Sequence, residues 1–149
     1  MKFECILEDE AHTINVAQQF AAKIEAPMKI YFSGEIGAGK SCFIRAMLQQ
    51  LGITQKIKSP TFSIIETYEH QDVQYIHIDL YRLEDEEEYL YLGGEEYFHA
   101  KSVVLVEWPE KISLLPPPDI FIRIENIEFG QKRKISIQSV SKTLNFIFD

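Results

Sequence analysis

A chain of 149 residues, 46% of them hydrophobic and 26% charged, has the composition of an ordinary globular protein and the length of one domain with a real core, so residues 1–149 are read as a single domain. Its apolar runs fall far short of the roughly 20 residues that cross a bilayer, which excludes a membrane-spanning helix. A net charge of −8 argues against a large independent nucleic-acid surface, so any work on a nucleic acid is expected to pass through a partner.

Met1 to Cys5 has neither the apolar middle of a secretory signal nor the Arg-rich start of a transit peptide, and the expected compartment is the cytoplasm. Phe3 to Leu7 reads as a short strand. Glu8-Asp9-Glu10 then supplies the acidic start of a helix, and Ile14, Ala17, Ala21 and Ile24 recur at helical spacing, with Val16 and Phe20 widening the face. Pro27 marks the stop. Two cysteines, Cys5 and Cys42, make no disulfide framework. Cys42 begins a helix, a place that lowers a thiol pKa and would suit redox work; the simpler reading is a small residue beside Ser41.

The apolar run Met28 to Phe32 leads into Gly34-Glu35-Ile36-Gly37-Ala38-Gly39-Lys40-Ser41, and a helix predicted over Lys40 to Leu51 comes next, ended by Gly52. This is G-x-x-x-x-G-K-[ST] between a strand and a helix, the setting of a phosphate-binding loop. The glycines let the backbone bring several N–H groups round one anion, and the helix adds its positive end. Lys40 can reach the β- and γ-phosphates of a nucleotide, and the Ser41 hydroxyl can bind Mg²⁺.

Ser59-Pro60-Thr61-Phe62 stands where nucleotide switch segments carry a threonine. Thr61 to Tyr68 and Val73 to Asp79 alternate as a hairpin, with His70-Gln71-Asp72 as its turn. Leu83, Tyr89, Leu90 and Leu92 sit in an acidic segment, predicted helical as far as Gly93-Gly94, whose Glu84 to Glu88 run reads as a solvated face, with an interaction patch as the alternative. Glu95 to His99 suggests a short helical turn. Ser102 to Val106 is a continuous apolar run, the mark of a strand buried on both faces. Ile120 to Ile127 and Lys134 to Val140 read as antiparallel strands, and Lys142 to Phe148 as a last packed element. The fold class is α/β: a three-layer P-loop NTPase-like domain with a mixed central sheet extended by antiparallel strands.

A P-loop needs a carboxylate from a neighbouring strand end to order Mg²⁺ or activate water. Asp79 and Glu107 both qualify, since ligands of open α/β sheets gather at the carboxyl ends of strands. Trp108 comes directly after Glu107 and reads as a core or lid aromatic. His77 alternates onto the side of Tyr75 and Asp79, where it could orient Asp79 or serve structure alone. Arg82 could stabilise transferring phosphate or pair with the acidic segment.

Gly34–Ser41, Ser59-Pro60-Thr61-Phe62, His77-Ile78-Asp79-Leu80-Tyr81-Arg82 and Val106-Glu107-Trp108-Pro109-Glu110, in this order and spacing, resemble the TsaE (YjeE) family of small bacterial P-loop ATPases. The resemblance spans roughly Asp9 to Ile112, and the H-x-D-L-Y-R and E-W-P-E segments make it specific. It implies a slow Mg²⁺-dependent ATPase that acts with the TsaB–TsaD heterodimer, in which TsaD transfers threonylcarbamoyl to adenosine 37 of tRNA. ATP hydrolysis is then expected to support turnover of that complex, with tRNA met only through it and with no membrane or DNA partner. The cofactors implied are ATP and Mg²⁺. By position, Lys40, Thr61, Asp79 and Glu107 form the catalytic set, and Ser41, Asp79 and Glu107 the metal ligands. Gly34, Glu35, Ile36, Gly37, Ala38, Gly39, Lys40, Ser41, Cys42 and Trp108 form the nucleotide site. Ser41 stands where the family commonly has Thr, Glu35 where Asp is frequent and Cys42 where Thr is frequent; the Ser41 hydroxyl survives the change.

Two other readings compete. A small-molecule kinase would use the same loop but usually carries an arginine-rich lid, whereas the four arginines here (Arg45, Arg82, Arg123 and Arg133) are scattered. A nucleotide-gated adaptor would bind ATP and barely hydrolyse it.

Overall fold

The computed structural model describes residues 2–58, 60 and 64–141. Among these residues seven strands form one sheet: β1 (Lys2–Leu7), β2 (Met28–Ser33), β3 (Ile65–His70), β4 (Val73–Asp79), β5 (Ser102–Glu107), β6 (Ile120–Ile127) and β7 (Lys132–Ser139). Their spatial order is β1-β7-β6-β2-β5-β4-β3. The inner four run parallel, β2 pairing with both β5 and β6, and β4 with β5. Antiparallel partners finish both sides, β3 on β4 and then β7 and β1 beyond β6. The mixed α/β sheet expected from the sequence is thus present.

Among the described residues three α-helices cover it: α1 (Glu10–Ala21), α2 (Lys40–Gln50) and α3 (Glu86–Tyr91). One face packs on α1 and α2 through Val16, Phe20, Phe43, Met47 and the inward residues Ile30, Phe32, Leu105 and Ile122. The opposite face buries Tyr31, Ile76, Ile78, Val104 and Val106 beneath Leu83 and Tyr89. Every residue of β5 is buried, as a strand covered on both faces requires.

Several boundaries depart from the sequence reading. Helix α1 is capped by Asp9, whose carboxylate accepts from the His12 amide at 2.8 Å, and it ends at Ala21, so Ile24 lies past the helix rather than on its face. His70 belongs to β3; the turn is the pair Gln71-Asp72, both at positive φ as a two-residue hairpin loop demands. In α3 only Tyr89 is buried, while Leu90, Tyr91 and Leu92 are exposed. Strand β7 starts two residues earlier than the alternation suggested, at Lys132. The predicted start of the first hairpin strand at Thr61 and the packed element over Lys142 to Phe148 lie outside the described residues.

Candidate active site

Strands β2, β4 and β5 are parallel neighbours, so their carboxyl ends all open onto one edge of the sheet. Beyond β2 comes the Gly34–Ser41 loop, β4 ends in Asp79, and β5 ends in Glu107 directly opposite Asp79. The convergence is a consequence of strand direction, and it makes a cleft of about 470 Å³. Small-molecule pockets run from about 300 to 1,000 Å³. Gly37, Gly39, Lys40, Ser41, Cys42, Asp79, Glu107 and Trp108 all line it, together with Ile36.

The loop is built for close backbone approach. A Cβ on Gly34 would collide with the carbonyl oxygen of Ile124 on β6, which holds the loop against the sheet. Gly39, at φ 101, is the N-cap of α2 and supplies no side-chain cap. The Phe43 amide donates to the Gly39 carbonyl at 3.0 Å and closes the first turn, so the amides before it have no i→i−4 acceptor within the helix. An uncapped helix start facing a cleft is a place for an anion.

Lys40 is only 5% exposed. Its ammonium donates to the Gly34 carbonyl at 2.5 Å and lies 4.3 Å from the centre of the Trp108 ring. Burial lowers its pKa, while Glu107, Asp79 and Glu110 act in the opposite direction. Trp108 adopts a left-handed backbone, φ 59 and ψ 49, which turns the chain sharply after Glu107. Its ring meets Tyr81 at 5.0 Å between centroids, so an aromatic pair walls one side of the cleft.

The two carboxylates are held differently. Glu107 is 3% exposed, and its Oε2 lies 2.7 Å from Nε2 of His77. His77 shares the face of Asp79, as its alternation suggested, but the carboxylate its ring meets is that of Glu107. Asp79 accepts from the Tyr81 amide at 3.0 Å. Burial and the facing Glu107 charge push the Asp79 carboxyl above the usual carboxylate range, against the pull of the Tyr81 amide, His77 and Lys40.

Among the described residues no group of three or more His, Cys, Asp or Glu side chains forms a metal cage. The Ser41 hydroxyl with the Asp79 and Glu107 carboxylates is instead a sparse set of hard oxygen donors. That suits Mg²⁺, which takes one or two carboxylates and completes its shell with phosphate oxygens and water. Cys42 lines the cleft, but burial and Glu10 push its thiol up, against the lowering expected from the helix end. Arg82 lines the cleft as well. Pro60 does too, while Ser59, Thr61 and Phe62 lie outside the described residues. Glu35 and Ala38 belong to the loop without lining the cleft; Ala38 is fully buried, and its amide donates to the Glu35 carbonyl at 3.1 Å.

Sequence reasoning missed Arg133 and Glu10. Arg133 reaches from β7 to donate from Nη2 to the Gly37 carbonyl at 3.1 Å, and both Arg133 and Glu10 line the cleft. The local pattern offered no more than an arginine just before the strand predicted from Lys134. Its place over the loop comes from the sheet order, which sets β7 beside β6 and close to β2.

Comparison with known proteins gives the family. The family model described as "Threonylcarbamoyl adenosine biosynthesis protein TsaE" matches residues 7–135. The chain is 36% identical over 139 residues to the Haemophilus influenzae protein named tRNA threonylcarbamoyladenosine biosynthesis protein TsaE, covering 89% of this chain and 88% of that one. It is 38% identical over 112 residues to the Bacillus subtilis protein of the same name, covering 75% and 68%. The crystal structure of Bacillus subtilis YdiB superposes with a TM-score of 0.78 at 29% identity, over 94% of this chain and 86% of that one. A matching family model over most of the chain and relatives above 30% identity lead to one conclusion: the chain belongs to the TsaE family.

Proposed function

We propose that this protein is the ATP-binding and ATP-hydrolysing subunit of the machinery that makes threonylcarbamoyladenosine at position 37 of tRNA, working in the cytoplasm with TsaB and TsaD. The observation that carries the reading is the meeting of Lys40, Ser41, Asp79 and Glu107 in one cleft, in a chain of the TsaE family. Loop amides and Lys40 bind the phosphates, and an incoming phosphate competes with the Gly34 carbonyl and the Trp108 ring for the ammonium. Ser41, Asp79 and Glu107 would hold Mg²⁺, which would supply charge neutralisation at the phosphate oxygens. Glu107 orients the attacking water, so that ATP and water give ADP and phosphate. The net charge of −8 fits a subunit that meets tRNA through its protein partners.

The test is ATP hydrolysis by the purified chain, alone and with TsaB and TsaD, with Lys40→Ala as control. Stimulation by the pair, lost in the variant, supports the proposal. Brisk turnover without any response to the pair contradicts it and favours a kinase with an unidentified acceptor.

A further inference from the structure

Glu107 ends β5, and its side chain has three rotatable bonds. Directly opposite, on the same face of the next strand, stands Asp79. Two adjacent carboxylates repel, and nothing in the strand itself decides where the Glu107 carboxylate goes. The backbone is fixed, since the Leu80 amide donates to the Glu107 carbonyl at 3.1 Å and the chain turns away at Trp108. The side chain is fixed by His77, two residues before Asp79 on β4, whose Nε2 lies 2.7 Å from Oε2. Both side chains are nearly inaccessible, at 3% and 4%. His77 Nδ1 is buried and meets no hydrogen-bond partner among the described residues. A buried N–H without an acceptor is costly, so the ring proton belongs on Nε2, where it is donated to Glu107. His77 also lines a cavity of about 10 Å³ with Ser41 and Ile44 of α2.

We propose that His77 is a positioning residue for Glu107: by donating from Nε2 to Oε2 it draws one carboxylate oxygen back into the protein and leaves Oε1 to serve the cleft. A carboxylate held by one oxygen is preorganised before nucleotide arrives, so the site need not rearrange it when the reaction begins. The inference deepens the ATPase reading and rests on it for the role of Glu107.

Two measurements test it together. The first is the tautomer of His77 in the full chain without nucleotide, read from two-bond proton–nitrogen correlations of ¹⁵N-labelled imidazole. The second is steady-state ATP hydrolysis, with TsaB and TsaD present, by His77→Gln and His77→Leu. Gln can place an amide N–H near the Nε2 position; Leu removes the donor. Expected are a proton on Nε2, a fall in kcat of about tenfold or more in His77→Leu with KM within about twofold, and recovery of most of the rate in His77→Gln. A proton on Nδ1, or equal loss in both variants with weakened ATP binding, overturns the proposal and leaves His77 a packing residue. If His77→Leu does not fold, the tautomer and His77→Gln still decide. If the native chain hydrolyses no ATP but carries its proton on Nε2, the ATPase reading fails while the hold on Glu107 stands.

Discussion

In the proposed function Lys40 and the two carboxylates take different roles, and their variants should fail in different ways. A charged hydrogen bond to phosphate is worth about 1.5–3 kcal/mol, so Lys40→Ala should weaken ATP binding roughly 10- to 100-fold by calorimetric titration. Glu107→Ala should keep binding within a few-fold and lose hydrolysis by about 10²–10³, as removal of a water-orienting carboxylate does. Normal turnover in that variant would move the role to Asp79. Asp79 itself stores unfavourable charge. Its pKa is raised in the fold by burial and by Glu107, so the folded state binds the proton more tightly than the unfolded chain. This carboxyl therefore costs stability above its folded pKa and relieves the fold as pH drops through that value towards 3.8. Asp79→Asn keeps the acceptor for the Tyr81 amide and removes the charge, so it should raise the melting temperature at pH 7 while lowering ATP hydrolysis. A lower melting temperature in Asp79→Asn would contradict the charge argument.

Among the elements, the loop and its braces are where sequence and structure can be compared most sharply. The glycine pattern, the strand before it and the helix after it were all legible, because a P-loop is a local object: its conformation depends on residues within about ten positions. Gly34 shows how far that locality goes. Its special need is a close approach to the Ile124 carbonyl, a residue far away in sequence, and Gly34→Ala should therefore cost well over about 1 kcal/mol in chemical denaturation. The caps are local too. Asp9→Ala should cost about 1 kcal/mol by the same measurement, since it strips the cap of α1. Where structure and sequence pattern part, the missing information is spatial. Ile24 continued the helical period but fell past the helix end, because periodicity does not say where a helix stops. His77 was legible as facing inward, but whether it meets Asp79 or Glu107 depends on how β4 and β5 lie together.

At the scale of the whole molecule, sheet order makes the site. The parallel core β6-β2-β5-β4 gathers the Gly34–Ser41 loop, Asp79 and Glu107 on one edge, and the flanking β7 brings Arg133 onto the loop. The place of Asp79 and Glu107 at that edge was legible because each ends an apolar strand in the sequence. Arg133 could not, since the pairing of β7 with β6 and β1 is set by packing of the inward residues Ile135 and Ile137 rather than by any motif. The molecule also exposes Tyr91, with Leu90 and Leu92, at the end of α3 beside its acidic run. In the function proposed for it, ATP hydrolysed in the cleft sustains tRNA modification by a complex larger than this chain. The most direct measurement is multiple-turnover formation of threonylcarbamoyladenosine on tRNA by TsaB and TsaD, supplied with threonylcarbamoyl donor and ATP. With the native chain present, product should accumulate well beyond one equivalent of TsaD; with Lys40→Ala or Glu107→Ala it should stall near one. Equal product with the native chain, with either variant, or with no added chain would contradict that function.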